Sequence, residues 1–190
     1  MRQTGLNKKR GQFMDMNNWI KNSNILLKEL ANIDFGYPLD DNTIRLPRKK
    51  NIVDIALSDV GALDDALLDF YISCNGLSWA DVYNGYFINA IEDLHGKRQT
   101  NDLMPSEVKG KLKGRIIVFG SDGGGALFAI RKSEKDILYL PAGRVENGIY
   151  DDTAGNVRII GGTFSEFLEK LLRDLRAFVL DEEGHIYILQ

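Results

Sequence analysis

The chain contains the run Arg115-Ile116-Ile117-Val118-Phe119-Gly120-Ser121-Asp122-Gly123-Gly124-Gly125-Ala126-Leu127-Phe128-Ala129-Ile130, in which a polar, glycine-rich loop separates two short apolar segments. Residues 115–119 are rich in β-branched side chains, and residues 126–130 are apolar up to a charged turn. Both segments are therefore predicted to be strands. The glycines allow positive φ angles and close backbone approach, as a tight strand connection requires. The run predicts a strand, a loop and a second strand.

The glycine-rich loop could serve as a structural hairpin, as a contact with a partner, or as a phosphate or metal site. A phosphate cradle needs a helix directly after the glycines and usually a lysine, but the next segment reads as a strand. A calcium loop needs several carboxylates, and here only Asp122 is available. The pattern favours the hairpin and leaves the partner contact open.

The length of 190 residues predicts a single domain over residues 15–190, preceded by a disordered leader at 1–14. The hydrophobic content is 44% and the charged content 27%, and no apolar run approaches the length of a membrane span. The basic N-terminus lacks the apolar stretch of a secretory signal. A single cysteine, Cys74, excludes a disulfide framework and favours a reducing cytoplasm.

Charge is distributed unevenly along the chain, although the net charge is only -3. Residues 51–96 contain no lysine or arginine, and basic clusters flank them at 45–50 and 97–115. Such asymmetry acts on partner choice and encounter rate, although solvated helix ends and turns would give the same pattern. The acidic block holds eight carboxylates, at Asp54, Asp59, Asp64, Asp65, Asp69, Asp81, Glu92 and Asp93.

Three helices are predicted from apolar stripes with a period of 3.6 residues. The first is capped by Asp15, extends to Ala31 and is stopped by residues 36–38. The second covers about 63–75, carries Cys74 on its apolar face and ends at Asn75-Gly76. The third, over about 163–179, begins with a capping box of Thr163 and Glu166.

The rest of the chain is predicted to be mainly β. A strand or hairpin surrounds Asn84-Gly85, and a basic, turn-rich connection covers 95–114. Further short strands are predicted at 43–46, 137–140, 145–150 and 156–160, with an edge strand at 185–189.

The sequence gives no sign of a catalytic or metal centre. His95 and His185 lack further ligands at metal-binding spacing. Ser121 has no nucleophile elbow and no nearby histidine base, and the pairs Asp40-Asp41 and Asp151-Asp152 sit beside turn residues. We therefore predict no enzymatic activity, no catalytic residue, no metal and no cofactor.

Trp79 and Asp81 lie together just after the second helix, in the run Leu77-Ser78-Trp79-Ala80-Asp81. Tryptophan is enriched at interface hot spots, but a tryptophan beside a helix end also commonly belongs to the core. Both interpretations stay open for Trp79.

Three segments resemble the SUKH superfamily, of the SMI/KNR cell-wall-regulator type. Residues 64–76 resemble its segment of a helix, a bulky aromatic and then Asn-Gly, and 117–125 look like its strand followed by a Gly-Ser-Asp-Gly-Gly-Gly loop. Residues 163–172 fit its C-terminal Phe-x-x-Phe-Leu pattern. The resemblance covers about 55–178 and implies an α+β fold with a mainly antiparallel sheet packed by helices.

For bacterial members, the resemblance implies immunity proteins that neutralise toxins of contact-dependent or polymorphic toxin systems. The expected partner is a cognate toxin domain of the nuclease type, whose basic groove would suit an acidic inhibitor. No direct nucleic-acid or membrane contact is expected. The alternative is a small-ligand or nucleotide-binding regulatory domain that uses the glycine-rich loop. The residues expected to contact a partner are Asp65, Asp69, Trp79, Asp81, Ser121, Asp122, Gly123 and Gly124.

Overall fold

The computed structural model describes residues 14–50, 53, 65–94 and 104–190. The predicted leader, the beginning of the second predicted helix, His95 and much of the connection after it lie outside the described residues. The described part contains three α-helices: α1 over Met16–Leu30, α2 over Asp65–Ser73 and α3 over Phe164–Val179. None of these helices is long and apolar enough to cross a membrane.

The ends of the helices follow from local hydrogen bonds. Asp15 Oδ1 accepts a bond from Asn18 N at 3.1 Å at the start of α1. At the start of α3, Thr163 Oγ1 accepts from Glu166 N at 3.1 Å, and Glu166 Oε2 accepts from Gly162 N at 2.9 Å. The bonds from Asn18 N and Glu166 N satisfy N–H groups that a helix leaves free, so both predicted caps are confirmed. Glu166 binds the N–H of the residue before the cap instead of that of Thr163.

The strands of the described part form one branched sheet. Its main part has the order β1-β2-β3-β5-β6-β7-β10, with antiparallel neighbours. The first residues of β5 also pair with β4, which runs parallel to β9, and β9 pairs antiparallel with β8. The strands are β1 Thr43–Ile44, β2 Leu77–Trp79, β3 Tyr86–Ile88, β4 Glu107–Gly110, β5 Gly114–Asp122, β6 Leu127–Arg131, β7 Ile137–Leu140, β8 Val145–Glu146, β9 Ile149–Asp152 and β10 Arg158–Gly161.

The larger core lies between the helices and one face of the main sheet. The ring of Phe119 on β5 meets those of Phe164 and Phe167 on α3 edge to face, with centroids 5.4 Å apart in both pairs. Trp19 on α1 donates its indole N–H to Leu168 O at 2.8 Å, which joins α1 to α3. The predicted α+β fold, with apolar helix stripes buried on a sheet that contains β5 and β6, is confirmed.

A smaller core lies on the opposite face, where β4, β8 and β9 cover part of the main sheet. Alternation along β5 sends Ile117 to the helix side, and Ile116 and Val118 to this second core. The buried members of the second core are Val108, Ile116, Val118, Ala129, Leu138, Leu140, Tyr150 and Val157. Both faces of β5 are therefore buried, in agreement with its continuous apolar sequence.

The structure differs from the predicted strands in four places. The hairpin predicted around Asn84-Gly85 is confirmed, but its first strand is β2, and Val82 and Tyr83 lie in its loop. The segment 145–150 is a hairpin turning at Asn147-Gly148, because both residues adopt positive φ. Residues 185–189 form no strand, and β4 lies in the segment predicted as a basic connection. Short strands give weak periodic signals, so tertiary pairing decides them.

Candidate functional site

The glycine-rich loop closes the hairpin between β5 and β6, and Asp122 organises it. Asp122 is buried, and its Oδ1 accepts bonds from Gly124 N at 2.9 Å and Ala126 N at 2.8 Å. Its Oδ2 accepts from Tyr139 Oη at 3.0 Å and from Asn84 Nδ2 at 3.3 Å. The carboxylate therefore stabilises the turn through its own backbone and links it to the segments that contain Asn84 and Tyr139.

The same turn packs against the loop between β2 and β3. Gly123 N donates to Asn84 O at 2.7 Å, and a Cβ at position 123 would lie 2.4 Å from that oxygen. A glycine is required here by close approach to backbone. Since the N–H groups of Gly123, Gly124 and Ala126 are all used within the protein, the loop offers a poor anion cradle.

The loop between β2 and β3 also contacts two segments that are distant from it in the chain. Asp81 Oδ2 accepts from Asp40 N at 2.8 Å and from Asn42 Nδ2 at 2.6 Å, which fixes residues 40–42 beside the loop. The ring of Tyr83 stacks on that of Tyr187, with centroids 4.2 Å apart. The loop thereby joins segments from the beginning and the end of the described chain.

The C-terminal segment is anchored by the buried carboxylate of Asp174 on α3. Asp174 Oδ1 lies 2.7 Å from His185 Nε2, and Asp174 Oδ2 accepts from Ile188 N at 2.9 Å and from the Tyr86 hydroxyl. Burial, reinforced by the charge of Asp174, raises the pKa of Tyr86, so this phenol stays protonated and donates. The segment 185–188 is thus fixed beside β3 and α3.

These contacts assemble an acidic surface at one end of the sheet, which we call the acidic end surface. Its three segments, 34–42, 80–85 and 181–187, contain no lysine or arginine. Tyr37 and Tyr83 are 57% and 41% exposed there. The carboxylates of the acidic end surface are Asp34, Asp40, Asp41, Asp81, Asp181, Glu182 and Glu183.

Two observations show the electrostatic character of this surface. Burial first, and then the charges of Asp174, Asp181 and Glu182, raise the pKa of the Tyr187 phenol. Arg176, just outside the three segments, lies 3.7 Å from Glu182, and both side chains are exposed. One solvated cation at this distance offsets little of the negative field.

The structure separates the residues that were expected to contact a partner. Asp81, Asp122, Gly123 and the half-buried Ser121 lie around the loop between β2 and β3. Asp65 and Asp69 are exposed on α2, and within the described part of the chain they form no ion pair or side-chain hydrogen bond.

Two of the expected contact residues have structural positions instead. Trp79 is fully buried and stacks on Trp19, with ring centroids 5.9 Å apart, so its ring is not on the surface. Asp122 is buried and its two oxygens already accept four hydrogen bonds. The core interpretation therefore holds for Trp79, and the internal hydrogen bonds of Asp122 shape the loop.

Most of the acidic end surface lies outside the acidic block at 51–96. The residues expected to contact a partner come from 65–81 and 121–124, whereas six of the seven carboxylates of this surface come from 34–42 and 181–187. The available signal was that residues 32–44 and 177–190 are also free of lysine and arginine. Only the tertiary contacts show that these runs adjoin the loop at 80–85.

No grouping of three or more potential metal ligands occurs within the described residues. His185 is engaged by Asp174, whereas His95 lies outside the described residues. Burial raises the pKa of the Cys74 thiol to about 12, so it is not a thiolate nucleophile at neutral pH.

The sequence matches the model of one known protein family. The model of the SMI1 / KNR4 family (SUKH-1) matches residues 58–170, which is more than half of the 190 residues. The chain belongs to the SMI1 / KNR4 family (SUKH-1). This family is known for immunity proteins and is generally non-catalytic. A search of curated proteins returned no match.

The SUKH-1 match covers only part of the site. It includes the loop between β2 and β3, Asp122 and the glycines, which together form the scaffold. Residues 34–42 and 181–187 lie outside the matched range. Most charges of the acidic end surface therefore belong to the part of the chain beyond the family match.

Proposed function

We propose that this protein is a cytoplasmic, non-enzymatic immunity protein that binds and neutralises a cognate toxin of a bacterial polymorphic or contact-dependent system. The toxin is of the nuclease type, and the acidic end surface is the contact face. The observation that carries the proposal is the convergence of three segments without lysine or arginine into one carboxylate-rich, tyrosine-bearing surface. Membership of a family known for immunity proteins supports it.

The chemistry of this surface suits a nuclease as partner. A nuclease must hold phosphates, so its substrate groove is lined by lysine and arginine. A carboxylate-rich surface steers such a groove into encounter and opposes it with complementary charge. The exposed rings of Tyr37 and Tyr83 add the aromatic anchors that are enriched among interface hot spots.

The position of the charges also fits a specific inhibitor. Immunity proteins of one family must distinguish different toxins, and discrimination requires differences at the contact face. Here the scaffold lies within the family match at 58–170, and six of the seven carboxylates lie beyond it. A shared scaffold with a chain-specific acidic surface is consistent with selective neutralisation.

The alternative of a small-ligand or nucleotide site in the glycine-rich loop is less well supported. An anion site needs free N–H groups, but those of Gly123, Gly124 and Ala126 already have acceptors. The buried carboxylate of Asp122 beneath the loop would also repel a phosphate.

The proposal is tested by co-expression with the C-terminal domain of a polymorphic toxin, if the neighbouring reading frame encodes one. We expect the wild-type protein to restore growth. The double charge reversal Asp40→Lys/Asp41→Lys should reduce protection and slow association in stopped-flow measurements, with a weaker dependence on salt. Both carboxylates are exposed, and neither side chain makes a hydrogen bond in the described part of the chain, so the fold should be retained.

The matched control is Asp65→Lys/Asp69→Lys, which reverses the same number of charges on α2. This variant should protect nearly as well as the wild type. If it abolishes protection and the 40–41 variant does not, the contact face is α2 and the acidic end surface is excluded. If cells die equally with and without the wild-type protein, the immunity function itself is refuted.

A further inference from the structure

A polar cavity adjoins the acidic end surface, and its lining contains cationic side chains. It has a volume of about 290 Å³ and is bounded by β10, by α3 and by the C-terminal residues 185–190. Among the described strands, β10 pairs only with β7, so its other edge faces this groove. Three cationic side chains line it: Arg158, Lys170 and Arg173.

Arg158 is held in place before any ligand arrives. Its guanidinium carbon lies 4.7 Å from the centre of the Tyr139 ring, directly across the ladder between β10 and β7. The Tyr139 hydroxyl in turn donates to the buried carboxylate of Asp122 at 3.0 Å. A guanidinium fixed on an aromatic ring keeps its N–H fork for a ligand and loses little entropy on binding.

The charge balance of the groove is positive. Lys170 is compensated, because it lies 2.8 Å from Glu166 and also donates to Ile160 O at 2.8 Å. Asp174 is buried at the wall, where His185, Tyr86 and Ile188 already bond to its oxygens. Arg158 and Arg173 form no ion pair with any carboxylate of the described residues. The three cationic side chains therefore exceed the two nearby carboxylates, those of Glu166 and the buried Asp174, and the charge of Arg173 acts on Glu166 without an ion pair.

Apolar groups complete the groove. Ile186, one of its lining residues, is 80% exposed, which is unusual for isoleucine. Two guanidinium groups match the two negative charges that a phosphate monoester carries near neutral pH, and they can bind it through paired N–H donors. The volume lies at the lower limit of small-molecule pockets, which begin at about 300 Å³.

We propose that this groove is a binding site for a small organic phosphate monoester, held by Arg158 and Arg173 with its apolar part against Ile186. The site is separate from the glycine-rich loop, and it shares residues 185–187 with the acidic end surface. Its existence does not depend on the immunity function.

The test is an NMR titration of the ¹⁵N-labelled full chain with phenyl phosphate. Inorganic phosphate tests the head group alone, benzyl alcohol tests the apolar part alone, and malonate tests a dicarboxylate. We expect phenyl phosphate to bind most tightly and to shift amide signals of residues 158–160, 170–174 and 185–190. Arg173→Ala should weaken binding at least about tenfold, because each charge-assisted hydrogen bond to the anion contributes at least that factor.

Arg158→Lys is the second variant. It keeps the positive charge but removes the paired N–H donors of the guanidinium group, so it should also weaken binding. The control is Arg144→Ala, because Arg144 is exposed and pairs with Glu146 on β8, away from the groove lining. The proposal is overturned if phenyl phosphate leaves these signals unchanged, or if both groove variants bind as well as the wild type. Tighter binding of malonate would reassign the site to dicarboxylates, and equal binding of benzyl alcohol would exclude an anion site.

Discussion

Replacing Asp122 with alanine is expected to destabilise the protein through the hairpin that its carboxylate organises. The change removes an acceptor from four donors: Gly124 N, Ala126 N, the Tyr139 hydroxyl and the Asn84 amide. The loss depends on which of these donors water can reach afterwards. Gly124 and Asn84 are exposed, so water can replace the carboxylate for both.

The cost arises mainly at the two remaining donors. Ala126 is buried, and a buried N–H without an acceptor costs about 1–3 kcal/mol. The half-buried Tyr139 hydroxyl can recover part of its bonding from solvent, so we assign it about 1 kcal/mol. The free energy of unfolding should therefore fall by about 2–4 kcal/mol. The free energy of unfolding of Asp122→Asn should lie between those of the wild type and Asp122→Ala. Its amide keeps one oxygen acceptor but places N–H groups against donors.

Urea denaturation followed by tryptophan fluorescence measures this change, since Trp19 and Trp79 are both buried. The matched control is Asp41→Ala, which removes an exposed carboxylate and should change the free energy of unfolding by less than about 0.5 kcal/mol. A loss below about 0.5 kcal/mol for Asp122→Ala would show that the carboxylate does not organise the loop.

Three further predictions concern the core, the loop and the titration of one tyrosine. Leu171→Ala should reduce the free energy of unfolding by about 2–5 kcal/mol in urea denaturation, because Leu171 is fully buried in the larger core; a loss near zero would contradict that burial. Gly123→Ala should lower the melting temperature in calorimetry, because its Cβ would lie 2.4 Å from Asn84 O, and an unchanged value would mean that the loops do not dock as described. Burial and the bond to Asp122 raise the pKa of Tyr139 to about 12 from its ordinary 10.0, so stability from this group is complete below pH 10 and is lost as the pH rises towards 12. Stability measured against pH should fall less steeply in that window for Tyr139→Phe, and identical profiles would exclude the shift.

The sequence determined the features that depend on neighbouring residues. The apolar stripes of α1 and α3, the Asp15 cap and the pair of Thr163 and Glu166 are local patterns, and each was predicted correctly. The run 115–130 likewise predicted β5 and β6, because β-branched residues and a glycine-rich turn act over a few positions. The resemblance of three such segments to one family was sufficient for the family assignment.

The tertiary structure alone decided which segments share a surface. Asp40, Asp81 and Asp181 are far apart in the chain, and only the bonds of Asp81 and the stacking of Tyr83 on Tyr187 bring their segments to one end of the sheet. The choice between core and interface for Trp79 and the pairing of β4 with β9 also required the tertiary structure. A periodic pattern predicts that one face of a helix or strand is buried, but not which element covers it. A surface depends on contacts between segments that are distant in the chain, and no local pattern predicts which segments meet.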